Sequence, residues 1–284
     1  MKSAFLKDEA LLAEIADARS QGRRCLWWLG QSGFLVLQKG RALLLDPYLS
    51  DSLTLKYANT DKPHVRVTER VVSPEALGTL GCIDIITSSH NHTDHLDAET
   101  LLPILNANPQ SRLAISPANR DFVLERLGAK FAPRLLEVGC DASTRIGDLE
   151  IRAVPSAHNS VDRDAVGNFR YVGYVIRWDG ATFYHSGDTL WHEGIAPALK
   201  DFHIDVAMLP INGNRPERRV AGNLNGREAS QLAKSINARW VIPCHYDLFE
   251  FNTAAPDDFV AECEKLGQRY RVLRNGEGVD FPIV

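Results

Sequence analysis

Apolar residues arrive along this chain in short runs, each closed by glycine, proline or a polar turn residue. Three runs come early, Cys25–Leu29, Phe34–Gln38 and Ala42–Leu45, with Gly30, Gly33 and Gly40 between them. Runs this short, rich in β-branched, aromatic and leucine side chains and bounded by glycine, predict strands joined by tight turns. Further strands are predicted at Ile83–Ser88, Arg112–Ile115, Leu149–Val154, Tyr171–Trp178, Thr182–Tyr184, Val206–Leu209, Trp240–Ile242 and Tyr270–Leu273. Helical spacing appears between them. An N-terminal helix is predicted over residues 3–20, its apolar stripe broken by Lys7, Asp8, Glu9 and Glu14. Pro117–Leu127 has Ser116 as N-cap, proline at the first position and Gly128 as its stop. Arg227–Ala238 carries Ala229, Leu232, Ala233 and Ile236 on one face, and Asp257–Leu266 does the same with Phe259, Val260, Cys263 and Leu266 before Gly267. Antiparallel strands followed by strands alternating with helices, twice over, predict an α/β fold of two sheets packed face to face with helices outside. The halves would be residues 22–150 and 151–284, sharing one core within a single domain, 1–284.

Composition narrows the class. The hydrophobic share of 44% and charged share of 24% are those of a globular enzyme. No apolar run is long enough to span a membrane, and the N-terminus lacks the uninterrupted apolar stretch of a secretory signal. Cys25, Cys82, Cys140, Cys244 and Cys263 are scattered and odd in number, which suits a reducing compartment. A cytoplasmic location is the expectation. The net charge of −4 argues against long nucleic acid as a partner.

The chemistry is concentrated in Ser88-Ser89-His90-Asn91-His92-Thr93-Asp94-His95-Leu96-Asp97. An apolar strand delivers the chain to this loop, where imidazoles and a carboxylate crowd into a few positions. Imidazole nitrogen and carboxylate oxygen are ligands for Zn²⁺ and similar divalent ions. A polar surface loop is the bland alternative, but the chain has only nine histidines and three of them fall here. Three other strands stop at a turn residue and then present one ligand-type side chain: His158, Asp188 and His245. Any one of them alone would read as a surface residue or a cap.

The order HxHxDH, then His, then Asp, then His resembles the metallo-β-lactamase superfamily, from about Cys25 to Tyr246. That resemblance implies a four-layer αβ/βα sandwich. It also implies one or two divalent ions per chain (Zn or Mn, with Fe admitted). His90, His92 and His158 would hold the first, Asp94, His95 and His245 the second, and Asp188 would bridge them. Leu26-Trp27-Trp28-Leu29-Gly30, Leu45-Asp46-Pro47-Tyr48, Leu209-Pro210-Ile211-Asn212 and Pro243-Cys244-His245-Tyr246-Asp247 look most like the branch of the ascorbate-6-phosphate lactonases and N-acyl-phosphatidylethanolamine phospholipase D proteins. The resemblance implies a hydrolase that uses metal-bound hydroxide on a small anionic ester or lactone. A phosphodiesterase acting on nucleotides or phospholipid headgroups is the alternative, and a non-catalytic metal-binding scaffold is the third reading. Asp94 is the catalytic candidate, positioning the nucleophile or carrying its proton.

Several neighbours stay open at this stage. Asp46 reads equally as a turn former before Pro47 and as a carboxylate holding a ligand histidine. Asp97 reads as a helix cap. His185 reads as a core or supporting histidine, Cys244 as a small buried hydrophobe, and Trp191 and His192 as mouth or surface residues. Trp27 and Trp28 should alternate between the two faces of a strand. Arg215, Arg218 and Arg219, and a second stretch with Lys56, Lys62, His64, Arg66 and Arg70, read as solvated loop charge or as binders of an anionic small-molecule substrate. A homo-oligomeric state is left open.

Overall fold

The structure, a computed structural model, describes residues 1–282; residues 283 and 284, with which the second predicted half ends, lie outside the described residues. After helix α1 (Asp8–Ser20) the chain builds β1 (Cys25–Gly30), β2 (Gly33–Gln38) and β3 (Arg41–Leu45) as antiparallel neighbours. Short helices α2 (Ser52–Lys56) and α3 (Pro74–Gly78) follow. Then come β4 (Ile83–Ser88), α4 (Ala98–Ala107), β5 (Arg112–Ile115), α5 (Arg120–Leu127) and β6 (Leu135–Glu137), whose strands run parallel to β3. The second sheet starts with β7 (Thr144–Ile146), β8 (Leu149–Pro155), β9 (Val172–Trp178) and β10 (Ala181–His185), all antiparallel neighbours. After α6 (Ile195–Leu199) it adds β11 (Val206–Pro210), then α7 (Gly226–Ser235), and then β12 (Trp240–Cys244), both strands parallel to β10. Following α8 (Asp257–Leu266), β13 (Gly278–Asp280) returns to the first sheet beside β1.

The orders are β13-β1-β2-β3-β4-β5-β6 and β12-β11-β10-β9-β8-β7. Strand alternation decides what lies between the sheets. Trp28, Phe34, Val36, Leu43 and Ile85 face Ile151, Ala153, Tyr174, Ile176 and Phe183 in a shared core. Their sequence neighbours Trp27, Leu35, Leu44 and Ile86 point the other way, onto Leu11 and Ile15 of α1, Leu101 and Ile104 of α4, and Val123 of α5. On the far side, α7 and α8 bury Leu232, Ala233, Phe259 and Cys263 against the second sheet. The result is the expected four-layer sandwich, with both paired tryptophans buried on opposite faces of one strand.

Some boundaries move. The N-terminal helix starts at Asp8, not at residue 3, because the segment before it is held extended: Lys2 bridges Thr68, the Phe5 amide donates to the Asn275 carbonyl, and Ala4 and Leu6 pack onto the core. Pro117–Leu127 divides into a 3₁₀ turn at Pro117–Asn119, capped by the Ser116 hydroxyl, and α5. The third predicted helix closes at Ser235, after an Asn225–Glu228 capping box that starts it at Gly226. Tyr270–Leu273 forms no strand; only a single bridge from Tyr270 to Val241 is made.

Candidate metal centre

Strand direction gathers the site. β1, β3 and β4 share one direction in the first sheet, as do β8, β10, β11 and β12 in the second. Their C-terminal ends therefore emerge along one edge of the sandwich, where ligands bind in layered α/β folds. The loop after β4 carries His90, His92, Asp94 and His95. His158 follows β8, Asp188 follows β10, and His245 follows β12.

These side chains converge into two groups. Ligand atoms of His90, His92 and His158 lie within 4.8 Å of one another, and so do those of Asp94, His95, Asp188 and His245. Asp188 reaches both. One of its oxygens is 3.2 Å from His95 Nε2, and the other is 3.7 Å from His158 Nε2 and 3.5 Å from His245 Nε2. Asp94 Oδ2 lies 3.6 Å from His245 Nε2 and 3.8 Å from His95 Nε2.

In three of the histidines the ring nitrogen facing away from the centre is anchored. His158 Nδ1 donates to the Gly222 carbonyl at 3.0 Å, and His95 Nδ1 lies 2.7 Å from Asp46 Oδ2. His90 Nδ1 meets the Ser89 hydroxyl at 3.0 Å. Such outer contacts fix the tautomer and aim the other nitrogen inward. The inward atoms include a telling set: His90 Nε2, His95 Nε2 and Asp188 Oδ1 are buried with no hydrogen-bond partner. The 3.2 Å approach of the last two is not an aligned bond. Leaving a buried polar atom unpaired costs about 1–3 kcal/mol, so such atoms facing inward in both groups call for cations. The donor set is nitrogen and oxygen, which suits Zn, Mn or Fe ions. The residues fit one or two such ions.

The electrostatics agree. Burial, then the charges of neighbouring histidines, holds His90 well below the usual imidazole range, and burial brings His92 down to about 4. Both are neutral, lone-pair-bearing rings at pH 7. Burial works against His95 and His245 as well, but there the carboxylates of Asp188 and Asp94 outweigh it and raise both. The carboxylates of this group thus favour positive charge among them, which a metal ion would supply.

Asp46 settles its two readings in favour of the supporting role. Besides His95, its carboxylate accepts from the Thr87 hydroxyl at 2.7 Å, the Ser89 amide at 3.2 Å and the Ser89 hydroxyl. Gln31 escaped the sequence reading. It sits in the β1–β2 turn at φ +49°, and its amide donates to Asp94 Oδ2 at 2.9 Å and lies 3.0 Å from His245 Nε2. Its carbonyl takes the His245 amide at 2.8 Å and the Trp28 indole at 3.0 Å. The flanking Gly30 and Gly33 were the available signal for a turn of special geometry. Asp97 caps α4 by accepting from the Thr100 amide at 3.0 Å, as expected. His185 is buried with Nε2 donating to the Ser32 carbonyl at 2.8 Å, and Cys244 is buried in the core. Trp191 is exposed, and His192 donates to the Pro155 carbonyl at 3.1 Å away from the site.

A cavity of about 610 Å³ opens onto His92, Asp94, His158, Asp188 and His245. Its wall contains Lys56, Lys62, Arg126 and Arg219. Of the arginines after β11, Arg219 alone lines this cavity. It pairs with Asp61, and its carbonyl accepts from Lys62 Nζ at 2.6 Å. Arg218 spends its guanidinium on the carbonyls of Asn212 (2.6 Å) and Thr253 (2.8 Å), and Arg215 is exposed outside the lining. From the second cationic stretch, Lys56, Lys62 and His64 face the cavity, whereas Arg66 binds Asp51 and the Ser50 carbonyl.

Residues 25–245 match the family model described as the β-lactamase superfamily domain. A UPF0173 metal-dependent hydrolase of Caldivirga maquilingensis is 28% identical over 91% of this chain and 98% of its own length. The probable L-ascorbate-6-phosphate lactonase UlaG of Escherichia coli is 24% identical over 90% of this chain and 77% of its own. Among solved structures, Igni18, a metallo hydrolase from Ignicoccus hospitalis, superposes with a TM-score of 0.66 at 22% identity, covering 92% of this chain and all of that one.

Proposed function

The chain belongs to the β-lactamase superfamily domain family, and from that premise we propose that it is a metal-dependent hydrolase of a small anionic ester or lactone. The observation that carries the reading is the shared cavity. Two sets of inward-facing ligand atoms form its floor, and Lys56, Lys62, Arg126 and Arg219 form part of its wall. Its size suits a small metabolite. The likeness to metal-dependent hydrolases and to a probable sugar-acid phosphate lactonase supports the same class.

His90, His92 and His158 would hold one ion, Asp94, His95 and His245 a second, and Asp188 would reach both. Ions bound there would lower the pKa of water from about 15.7 toward 7 and would polarise the substrate oxygen. The chain's own residues do the rest. The lysine and arginine side chains draw the anionic part of the substrate to the wall and so present its ester bond to the floor. Leu53, Tyr57 and Phe122 cover apolar parts of the substrate and keep bulk water off. Asp94 sits at the cavity surface, held ionised by His95 and His245 against the effect of burial. With only the first ion bound, the Asp94 oxygen not bonded to Gln31 would orient the attacking water and take its proton; with both bound, Asp94 would serve chiefly as a ligand. A phosphodiester would suit the same cationic wall, so the assay must include one.

Purified protein should contain at least one divalent transition metal per chain, removable by chelation. It should hydrolyse an anionic lactone faster than a bis-phosphodiester. His92→Ala or Asp188→Ala should abolish turnover, whereas Cys244→Ser should largely keep it. No bound metal after reconstitution with Zn, Mn and Fe would overturn the hydrolase reading. Preference for the phosphodiester would replace the lactonase reading with the phosphodiesterase one.

A further inference from the structure

His64 is a histidine of the cavity wall that belongs to neither ligand group. It lies in the loop after α2, and its ring is fixed on several sides. Tyr57 lies against it at 4.7 Å with its ring tilted by 32°, and Phe249 and Phe251 meet it edge-on, each at 5.3 Å. Its Nδ1 is 2.9 Å from the Lys62 carbonyl, and its own carbonyl accepts from the Thr54 hydroxyl at 2.6 Å. A ring held this firmly has little rotamer freedom left to lose on binding a ligand.

The Lys62 contact decides the tautomer. A carbonyl oxygen can only accept, so Nδ1 carries the proton and Nε2, across the ring, keeps its lone pair. Burial lowers the basicity of the ring, with the Lys62 hydrogen bond and the charge of Asp94 opposing it, so it is neutral at pH 7. Among the described residues none hydrogen-bonds to Nε2, and Nε2 is not one of the sealed, unpartnered atoms of the interior. An oriented acceptor is therefore open to the cavity in a wall whose other polar side chains include the donors Lys56, Lys62, Arg126 and Arg219. Asp94 and Asp188 also line the cavity, but as groups that would hold a metal ion; the remaining charges, Lys56, Lys62, Arg126 and Arg219, repel an ammonium group, so the donor that suits Nε2 is neutral.

We propose that His64 is a specificity-determining residue of this site: its Nε2 accepts a hydrogen bond from a neutral O–H or N–H group of the substrate, so that the preferred anionic esters or lactones carry a hydroxyl or an amide N–H near the bond that is cut. The proposal rests on the hydrolase reading for its catalytic arm only. A net hydrogen bond between neutral groups corresponds to roughly a two- to tenfold change in affinity. His64→Phe keeps the aromatic packing and removes the acceptor, and His64→Gln keeps an acceptor oxygen.

The experiment uses the metal-loaded protein and three matched carboxylate-bearing lactones: one with a hydroxyl beside the ring, one with an acylamino group there, and one with neither. The ratio of kcat/KM for the hydroxylated or acylamino lactone to that for the plain one should fall roughly two- to tenfold in His64→Phe. The change should appear in KM, with metal content unchanged, and His64→Gln should recover part of the ratio. Whichever of the two lactones loses its advantage identifies the donor as O–H or N–H. In parallel, calorimetric titration with the corresponding hydroxy acid and its deoxy counterpart reads the same preference without turnover. This arm decides the matter even if none of the lactones is hydrolysed, a result that would count against the hydrolase reading alone. Equal effects of His64→Phe on all the ligands, or no preference in the unaltered protein, would overturn the role given to His64.

Discussion

Asp46 shows how much a single side chain does here. It follows the buried run Leu43-Leu44-Leu45 and takes a positive φ of 39° immediately before Pro47, a conformation that asparagine and aspartate tolerate better than most residues. That turn drops its carboxylate into the interior, against His95, Thr87 and Ser89. Burial alone would raise its pKa. The charge of His185 and the hydrogen bonds from His95 and Ser89 outweigh burial and bring it down to about 2. Asp46→Asn removes the charge while keeping size and turn preference. It should weaken metal binding about ten- to a hundredfold, as loss of a carboxylate behind a ligand histidine typically does, in a chelator-competition titration. A second consequence has a definite sign. A carboxylate whose folded-state pKa lies below its ordinary 3.8 stabilises the fold above that value and loses the contribution as pH falls toward 2. The metal-free parent should therefore lose Tm more steeply than Asp46→Asn between about pH 4 and pH 2. Parallel curves would remove Asp46 from the account of acid stability.

Segments of secondary structure were legible in proportion to how much of their environment is local. The runs Phe34–Gln38, Ile83–Ser88 and Arg112–Ile115 are apolar on both faces because each face meets a packed layer, and their bounds are visible in the sequence. The strands Leu135–Glu137, Thr144–Ile146 and Gly278–Asp280 have three residues each and lie at or beside sheet edges, too short for any period to register. Helix α4 was legible only through its cap at Asp97, since Pro103 interrupts its pattern. The ligand residues were legible because a metal site repeats one chemistry at several strand ends. Gln31 was not, because its role depends on a turn that brings positions far apart in sequence together. The same dependence on backbone path shows at Gly187, between β10 and Asp188. Its φ is +58°, and a Cβ there would lie 2.6 Å from Ser89 Oγ and 2.9 Å from the Val172 carbonyl. Gly187→Ala should push the Asp188 loop away from the loop after β4. A loss of about 1–3 kcal/mol of stability is expected from strain and crowding together. Metal content should fall along with it, while an alanine at Gly139, whose Cβ would meet nothing and whose φ is not positive, should affect neither. Full metal retention in Gly187→Ala would show that the loop can relocate without disturbing Asp188.

Taken whole, the molecule is mildly acidic, with a net charge of −4, yet the cavity wall is cationic. Composition could weigh against long nucleic acid as a partner but could not locate a local field, because Lys56, Lys62, Arg126 and Arg219 are spread over much of the chain. They meet only when α2 and the loop after it, helix α5 and the loop after β11 close around one edge of the sandwich. The grouping Arg215, Arg218 and Arg219 looked like a unit in the sequence and separates in the fold. One arginine lines the cavity, one holds loop carbonyls, and one faces outward. The two charge distributions pull an anionic substrate in opposite directions. At a distance the acidic body repels it, whereas near the mouth the wall attracts it. Salt at physiological strength screens beyond about 8 Å, so it removes the distant repulsion and leaves much of the close attraction. Lys62→Ala should raise KM for an anionic substrate roughly ten- to a hundredfold, the usual range for one charge-assisted contact, and much less for a neutral analogue. Arg215→Ala should change neither. The response of kcat/KM to salt then separates the two fields. If the wall governs capture, kcat/KM for the anion should fall as salt rises, and Lys62→Ala should flatten that slope. A rise with salt in the parent protein, undiminished in Lys62→Ala, would mean that the acidic body dominates and that the wall acts only after the substrate has arrived.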